Sequence, residues 1–160
     1  MERYFKGNDP LLKEELDSWL GTPYRHLSKV KSKGVDCINF VVAVLEKLKA
    51  NQGRNLIVPP YSKDWHLHRG EQKLIHEIER QIPVEKIGYR DNKNKLIFSE
   101  NLGNGDIILF KFGRHSAHCG ILYLTQVYQT LNTTGVEKIN FYNLDFFKRI
   151  THIYKVYKVD

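Results

Sequence analysis

The sequence contains very little cysteine: Cys37 and Cys119 are the only two in 160 residues. This scarcity excludes a disulfide scaffold and a four-cysteine zinc site. Long apolar runs are also missing, and none approaches the ~18 residues that a membrane span requires. The chain has no internal repeat and no linker rich in proline, glycine or serine. Its first twenty residues contain five acids, which is unlike a secretory signal peptide.

What the sequence does contain is the mixture typical of a globular protein, with 41% hydrophobic and 27% charged residues. A length of 160 residues suits one domain. We therefore expect a single domain over residues 1–160, in which residues 1–10 form a loosely ordered N-terminus.

The charge is unbalanced toward basic residues, since 25 Lys and Arg against 18 Asp and Glu give a formal net charge of +7. An excess of basic residues is typical of proteins that bind nucleic acids. The excess lies in residues 21–35, with four bases and no acid, and in residues 111–160, with seven bases and three acids. Neither region contains a recognisable nucleic-acid-binding motif, so we expect no specific nucleic-acid partner. Residues 24–34, which are polar and basic, are predicted to form a loop.

The order of the predicted elements indicates an α+β fold. Asp9 and Pro10 suit a helix N-cap and first turn, and the apolar residues that follow recur at helical spacing. An almost fully buried helix is predicted over Asp36–Leu48, and a weaker one over Lys63–Gln81. After Gly105, short segments rich in Ile, Val, Tyr and Phe predict strands at Asp106–Phe112, Ala117–Leu124, Gln126–Leu131, Val136–Phe141 and Ile153–Val159. Together these elements indicate one antiparallel sheet of about five strands with the helices packed on a face.

Cys37 is the first candidate for chemistry, because it lies in the first turn of the predicted buried helix. Backbone N–H groups and the helix dipole favour an anion there, which lowers the pKa of a thiol. His115 and His118 lie at the entry to a predicted strand, and a histidine can accept the thiol proton and later give it to a leaving amine. Distance along the chain is no obstacle, since nucleophile and base need to meet only in space. From these residues alone, a structural buried cysteine and an exposed histidine stay open as alternatives.

Three motifs add to this picture. Gly21–Arg25 reads G-T-P-Y-R, Asp36–Phe40 reads D-C-I-N-F, and Gly105–Phe110 reads G-D-I-I-L-F and is followed by H-C-G-I-L at His118–Leu122. In this order and at these distances they resemble the motifs of the NlpC/P60 family of papain-like cysteine peptidases, which cleave bacterial cell-wall peptides. The resemblance runs from about residue 11 to the C-terminus. It is closest to the short, phage-associated members of the family.

The resemblance implies a papain-like fold and assigns the reacting residues. Cys37 corresponds to the nucleophile, and His118 corresponds to its general base and acid. His115 could compete for the role of the base, but it lies in the polar loop, whereas His118 begins the apolar strand and holds the motif position.

The third residue of the family is a polar side chain that orients the histidine, and Gln129 is the best candidate for it here. In an antiparallel hairpin centred near residues 123–124, Gln129 would stand opposite His118. An amide oxygen on the imidazole would define its tautomer without adding a buried charge. Because that turn has no Gly or Asn to define the register, Thr130 and Asn132 stay open as alternatives.

The same resemblance assigns three residues to substrate binding. Tyr24 matches a tyrosine that lines the substrate site, Arg25 belongs to the same motif, and Asp36 matches the acid that helps to bind the free amine of the substrate peptide. Asp36 is also the predicted N-cap of the buried helix, and the two roles are compatible. The sequence departs from the family at Ile38 and Asn39, where serine and glycine are usual. Loss of the serine hydroxyl puts recognition of a free peptide amine in doubt.

The function implied is that of a cysteine-type peptidoglycan endopeptidase, which cuts a stem-peptide amide bond, most often the γ-D-glutamyl–diaminopimelate bond, through a thiol acyl-enzyme. No cofactor and no membrane partner are expected. An amidase or acyl hydrolase on the same scaffold is one alternative. A basic nucleic-acid or phage-structural binding module with an inactive site is another. With no signal peptide, the protein is expected in the cytoplasm of the producing cell or to reach the wall through a phage particle, lysis or a dedicated secretion route.

Two other sets of residues suggest a disulfide or a metal site, and for both we expect that no such site forms. Cys119 follows His118, and neighbours on a strand point to opposite faces. We therefore expect Cys119 to face away from the cleft, and no disulfide with Cys37. His66 and His68 look like a metal-binding pair, but no further ligand stands close in sequence, so we expect no metal.

The basic stretch at residues 21–35 borders the cleft if the resemblance holds. Its lysines, Lys29, Lys31 and Lys33, would then attract the carboxylates of stem peptides and the anionic polymers of the wall, in a salt-sensitive way. We therefore interpret this part of the net charge as a feature that helps to attract the substrate.

Overall fold

The computed structural model of the chain describes residues 1–61, 73–112 and 115–160, apart from the side chains of residues 115–117. Within these ranges the helices are α1 (Pro10–Ser18), α2 (Cys37–Lys47), α3 (Lys73–Gln81) and α4 (Leu144–Phe147). The caps of the first two are those predicted. The Asp9 side chain accepts hydrogen bonds from the N–H groups of Leu11 and Leu12, and the Asp36 side chain accepts one from the N–H of Asn39.

The strands in the described ranges form one small and one large sheet. They are β1 (Lys29–Val30), β2 (Gly34–Val35), β3 (Val84–Arg90), β4 (Leu96–Phe98), β5 (Ile107–Phe112), β6 (His115–Tyr123), β7 (Gln126–Leu131), β8 (Gly135–Asn140) and β9 (Ile150–Val156). β1 and β2 pair as a hairpin that starts inside the predicted loop of residues 24–34 and ends one residue beyond it. The other seven strands form an antiparallel sheet in the order β4-β3-β9-β5-β6-β7-β8. The α+β class is confirmed, with seven strands in place of about five.

Two strands that the sequence patterns did not predict, β3 and β4, lie at one edge of the large sheet. In β3 charged and apolar residues are mixed, and only Ile87 and Gly88 are buried. This composition lacks the dense apolar signal of β5, whose first four residues are buried. β3 depends on pairing with β9, from Val84 opposite Val156 onward. A contact with the far end of the chain leaves no local pattern that periodicity could detect.

The helix predicted over Lys63–Gln81 is described from Lys73 onward, and there Leu74 is buried as expected. Residues 62–72, which include His66 and His68, lie outside the described residues. In the ranges that the structure does describe, no group of three or more His, Cys, Asp or Glu side chains could hold a metal ion.

Each face of the large sheet carries a hydrophobic cluster, because successive residues of a strand point to opposite sides. On one face, side chains of α1, α2 and α3 pack against sheet residues such as Leu109 and Cys119. On the other face, Phe110 and Ile153 pack with aromatic residues of α4. Among the described helices, none is long and apolar enough to cross a membrane.

The first residues of the chain are packed against the sheet. The backbone of Arg3 bridges to Tyr157, and its guanidinium pairs with the buried carboxylate of Asp106. The Tyr4 hydroxyl donates to a carbonyl at the end of α2, and Phe5 lies in the core with 4% of its surface exposed. The expectation of a loose N-terminus is therefore wrong for these residues, since a buried ring and an ion pair to a buried acid hold them in place.

Gly135 begins β8 and holds residues 21–25 beside the sheet. Its φ of +72° lies in the left-handed region, and an added Cβ would stand 2.4 Å from the carbonyl oxygen of Thr22. Next to it, the Val136 carbonyl accepts from the N–H of Gly21 at 3.0 Å, and the Val136 N–H donates to Thr22 at 2.8 Å. This close approach requires a residue without a side chain.

Replacing Gly135 by alanine is expected to destabilise the protein more than the same change at Gly53. Gly53 has a φ of +86° with no atom within 4 Å of an added Cβ, so Gly53→Ala adds only left-handed strain, about 1–2 kcal/mol. Gly135→Ala adds this strain and a clash with backbone, for which overpacking gives a further ~1–3 kcal/mol. Urea denaturation would measure both free energies of unfolding. Equal losses would contradict the close approach at Gly135.

Candidate active site

Cys37 occupies the first position of α2, as the sequence predicts. The preceding residue, Asp36, caps the helix by accepting from the N–H of Asn39 at 2.9 Å. Cys37 is buried, with 6% of its surface exposed. The N–H groups of a first helical turn and the helix dipole stabilise a negative sulfur at this position.

His118 lies on β6 at a bulge in the pairing with β5. Phe110 pairs with His118, whereas the next residue, Lys111, pairs with Ser116, so β6 has one extra residue. A bulge of this kind changes the direction of the side chains beside it. The buried imidazole packs against the rings of Phe110 and Phe112, at centroid distances of 5.4 and 5.3 Å. These aromatic contacts hold the imidazole in one orientation.

Cys37 and His118 come together in a hydrogen-bond contact, although they lie on different elements. The pKa of the Cys37 thiol is lowered to about 5, first by a hydrogen bond with Cys119, then by the hydrogen bond and the charge of His118. Burial and the carboxylate of Asp36 act in the opposite direction. Because the stabilising contacts prevail, Cys37 is a thiolate at neutral pH, which is the form that attacks a carbonyl carbon.

Gln129 lies on the other side of the imidazole, with its Oε1 2.9 Å from Nε2 of His118. An amide oxygen only accepts hydrogen bonds, so Nε2 carries the proton and Nδ1 is left for Cys37. Neither alternative makes this contact in the described part of the chain. The Thr130 hydroxyl is buried without a partner there, and Asn132 is exposed.

The register of β6 and β7 differs from the predicted one. Ile121 pairs with Tyr128, and continuation of this register places Gly120, not His118, opposite Gln129. The expected direct opposition is therefore wrong by two residues, and the amide reaches the imidazole diagonally. Gly120 makes room for this path, because an added Cβ would stand 3.2 Å from the Gln129 Cβ and 2.6 Å from the Tyr128 carbonyl oxygen.

The buried carboxylate of Asp36 is fully occupied by donors of the protein itself. One oxygen accepts from the N–H and the side-chain amide of Asn39, both at 2.9 Å. The other accepts from the N–H of Leu27 at 2.7 Å and from the hydroxyl of Tyr61 at 2.5 Å. A carboxylate offers about four acceptor positions. Direct binding of a substrate amine, the role that the resemblance implies for Asp36, would require one of these donors to leave.

Tyr61 is a residue of the site that the sequence analysis missed. Burial, and after it the negative charges of Cys37 and Asp36, raises the pKa of its hydroxyl. The Nε2 of His26 lies 2.8 Å from the Tyr61 carbonyl oxygen and holds the backbone there. The only local pattern near Tyr61 is the pair of prolines at 59–60. It predicts an extended backbone but does not indicate that Tyr61 contacts Asp36.

Tyr24 stands half-buried beside the charges of Cys37 and Asp36. Burial and these two negative groups raise its pKa to about 12. Tyr24 therefore remains a neutral phenol and a hydrogen-bond donor at neutral pH. Arg25 is exposed, and its stem packs where an added Cβ of Gly34 would stand.

Cys119 lies close to the nucleophile. Its Sγ is 3.5 Å from the carbonyl oxygen of Cys37, and the two thiols are in hydrogen-bond contact. Strand alternation holds, because Cys119 belongs to the cluster under α2 while His118 packs on Phe110. Cys119 nevertheless lies against Cys37, since α2 covers that face of the sheet and carries Cys37 to it.

Two of the three lysines in the basic stretch form ion pairs within the protein. Lys29 donates to Glu46 at 2.7 Å, and Lys31 donates to Glu15 at 3.1 Å. The charge that this stretch offers to a partner is therefore smaller than the sequence suggests. This weakens both the basic-rim interpretation and the alternative of a nucleic-acid-binding module.

A cavity of about 540 Å³ lies against one side of α2. Ile38, which follows Cys37, forms part of its wall, and Tyr61 forms another part. Much of the remaining described wall is apolar, with Val42, Leu56, Val58, Ile78 and Ile82 among its side chains. The departure from the family pattern at Ile38 thus faces an apolar space.

Comparison with protein families gives one match. The profile described as the NlpC/P60 family matches residues 21–155 of the chain. This range contains all six residues that the sequence analysis assigned to catalysis and substrate binding. No curated protein matches the sequence.

Solved structures include similar folds at low sequence identity. The NlpC/p60 domain of the peptidoglycan hydrolase SagA is 17% identical with a TM-score of 0.54, over 92% of this chain and 97% of that one. A protein similar to lipoprotein, of the NLP/P60 family, from Staphylococcus aureus subsp. aureus Mu50 is 15% identical with a TM-score of 0.60, over 97% and 44%. An NlpC/P60 family protein from Bacillus cereus ATCC 10987 is 16% identical with a TM-score of 0.55, over 92% and 39%. The chain thus spans less than half of the latter two proteins, and likeness at these identities shows the fold.

The pH dependence of thiol alkylation is expected to show a thiolate held by His118. With its pKa lowered to about 5, Cys37 should react with iodoacetamide at nearly its full rate at pH ~6. His118→Ala removes a hydrogen bond and a charge that favour the thiolate. The midpoint of the profile should then rise, and the rate at pH ~6 should fall by about tenfold or more.

A matched control is His152→Ala, which removes a half-buried histidine of β9 that is stacked on Tyr154. Its profile should equal that of the unmodified chain. Peptide mass spectrometry would verify that the label is on Cys37. A profile that His118→Ala leaves unchanged would contradict the contact between Cys37 and His118.

Proposed function

The chain belongs to the NlpC/P60 family, which comprises peptidoglycan hydrolases of the cysteine-peptidase type, and from this premise we propose that it is a peptidoglycan endopeptidase. It hydrolyses an amide bond in stem peptides, first of all the γ-D-glutamyl–diaminopimelate bond, through a thiol acyl-enzyme on Cys37. The reaction needs no cofactor.

The observation that carries this proposal is the arrangement around the imidazole of His118. The ring has Cys37 on one side, in hydrogen-bond contact, and the Gln129 Oε1 2.9 Å away on the other. A nucleophile, a base and a group that orients the base are the three parts that thiol-based acyl transfer requires. Here they come from three different elements of the fold, namely α2, β6 and β7.

The first half of the reaction forms the acyl-enzyme. The Cys37 thiolate attacks the peptide carbonyl carbon, and the carbonyl oxygen takes up the negative charge. N–H groups of the first turn of α2 are the natural donors to this oxygen. The neutral hydroxyl of Tyr24 lies near Cys37. Protonated His118 then gives its proton to the leaving amine as the C–N bond breaks.

The second half releases the product. His118, now neutral, takes a proton from water, and the resulting hydroxide attacks the thioester carbon and expels the Cys37 thiolate. Gln129 keeps the Nε2 proton in place throughout, so that Nδ1 always faces the reacting sulfur. This division of roles assigns Gln129 to positioning.

Substrate binding involves Tyr24 and Arg25 at the rim of the site. Asp36 contributes indirectly in the resting protein, because its oxygens are taken by Leu27, Asn39 and Tyr61. In the resting protein, Asp36 therefore has no oxygen left to accept a hydrogen bond from a free amine of the substrate.

Replacing Cys37 by alanine should abolish hydrolysis of purified peptidoglycan. The variant removes the nucleophile but no core contact larger than a sulfur atom, so we expect a rate loss of about 10⁴-fold or more. Mass spectrometry of muropeptides before and after digestion would identify the bond. Circular dichroism would verify that the variant is folded. Retained hydrolysis in Cys37→Ala, or intact muropeptides with the unmodified chain, would contradict the proposal.

An acyl hydrolase on the same scaffold is a second candidate, and the apolar cavity that begins at Ile38 favours it. An acyl chain attached to the scissile carbonyl would extend into this space when its carbonyl carbon lies at Cys37. Burial of each methylene contributes about 0.8 kcal/mol. A contribution of this size would produce a measurable increase in kcat/KM with each added methylene.

Chromogenic thioesters of increasing acyl length would test the second candidate. If it holds, kcat/KM rises about threefold to fourfold per methylene until the cavity is full. Ile78→Trp, which narrows the cavity, should remove this rise and leave the acetyl thioester unchanged. Rates that do not depend on chain length would contradict the acyl-hydrolase function.

A further inference from the structure

The second thiol of the chain stands directly against the nucleophile. The Sγ of Cys119 lies 3.5 Å from the carbonyl oxygen of Cys37, and both sulfurs are buried. The two side chains are also in hydrogen-bond contact with each other. They belong to α2 and β6, which pack together in the core. The function proposed above uses Cys37 and leaves Cys119 without a role.

The two thiols differ in character. The pKa of Cys37 is lowered by its contacts with Cys119 and His118, whereas the pKa of Cys119 is raised by its contact with Cys37 and by burial. One sulfur is therefore a nucleophilic thiolate and the other a protonated thiol. A low-pKa thiolate beside a second thiol is the arrangement found where cysteine oxidation is reversible.

We propose that Cys37 and Cys119 form an oxidation site, in which a peroxide oxidises Cys37 and Cys119 converts the product into a reversible Cys37–Cys119 disulfide. The first step forms an S–O bond and breaks the O–O bond of the peroxide. The Cys37 thiolate is oxidised by two electrons to the sulfenic acid. One oxygen of hydrogen peroxide goes to the sulfur as its hydroxyl group, and the other leaves as hydroxide, which a buffer acid protonates to water.

The second step forms the disulfide. The sulfur of Cys119 attacks the sulfur of the Cys37 sulfenic acid, an S–S bond forms, and the S–O bond breaks. The proton of Cys119 leaves with the hydroxide as water. The sulfenic acid is neutral, so the contribution that the Cys37 thiolate makes to the raised pKa of Cys119 is gone when Cys119 has to react. A thiol reductant reverses the process by exchange through a mixed disulfide.

The packing of the two elements favours this outcome over further oxidation. A disulfide requires Cα atoms roughly 4.4–6.8 Å apart and sulfurs that can meet, and here the two thiols are in hydrogen-bond contact, with the Cys119 Sγ 3.5 Å from the Cys37 carbonyl oxygen. In the absence of Cys119, a sulfenic acid on Cys37 would proceed to the sulfinic acid, which thiols do not reduce. Cys119 thus protects Cys37 from irreversible oxidation, and the disulfide inactivates Cys37 reversibly. The proposal rests on the reactivity of Cys37 and holds whichever bond the enzyme cuts.

The test uses the reduced full chain treated with hydrogen peroxide and digested with trypsin. Cleavage after Lys33, Lys47, Arg114 and Lys138 gives peptides 34–47 and 115–138, each with one cysteine. In the unmodified chain we expect these two peptides to be joined, in the monomer band of a non-reducing gel. Dithiothreitol should separate them and restore both free thiols.

Variants at Cys119 separate the two steps. In Cys119→Ser, whose hydroxyl can keep the hydrogen bond to Cys37, dimedone should label Cys37 about tenfold more than in the unmodified chain. Cys119→Val, a second variant, removes this hydrogen bond, so the same labelling should accumulate more slowly. Both variants should then accumulate sulfinic acid that dithiothreitol does not reverse. Cys37→Ser should consume no peroxide at Cys119, because the remaining thiol has only 1% of its surface exposed and burial alone still raises its pKa. Circular dichroism would show which variants are folded.

Three results would overturn the proposal. One is sulfinic acid on Cys37 at the same rate in the unmodified chain and in the folded Cys119 variants. Another is a linkage that joins separate chains only, and the third is no reaction of Cys37 with peroxide. All readouts are of covalent state, so they distinguish failure of this proposal from failure of the proposed peptidoglycan hydrolysis.

Discussion

The buried carboxylate of Asp36 is the group on which the rest of the site depends. It caps α2 through Asn39, holds the preceding loop through Leu27, and binds the hydroxyl of Tyr61. A carboxylate without water is stable only when donors surround it, so the folded state requires all of these segments together. The start of α2, and Cys37 with it, is thereby held in one position by contacts from three parts of the chain.

The second requirement is that the sheet presents the imidazole to that position. The bulge in β6 directs His118, and the missing side chain of Gly120 lets Gln129 reach it diagonally. The pairing of Phe110 with His118 places an aromatic ring beside the imidazole. Thiolate and base therefore belong to different layers of the fold, and their contact depends on how α2 packs on β6.

Much of the fold follows from local patterns. The cap residues Asp9 and Asp36 mark the starts of α1 and α2, because a side chain that accepts from nearby N–H groups is a local interaction. The five strands after Gly105 are dense in apolar residues and were predicted within a few positions. β3 and β4 were missed because they lie at an edge and depend on pairing with β9. The tyrosine at position 61 was missed for a similar reason, since its partner lies far away in the sequence.

The sequence by itself determined the chemistry that is available: a cysteine at a capped helix start, a histidine at the entry to a strand and an amide on the next strand. Each of these is readable from residue types and spacing over a few positions. Only the tertiary structure decided which groups meet. It placed Gln129 diagonally opposite His118. It also brought the hydroxyl of Tyr61 to the carboxylate of Asp36, and Cys119 to Cys37. These contacts join residues on separate elements, so they depend on strand register and on helix–sheet packing, which local periodicity does not encode.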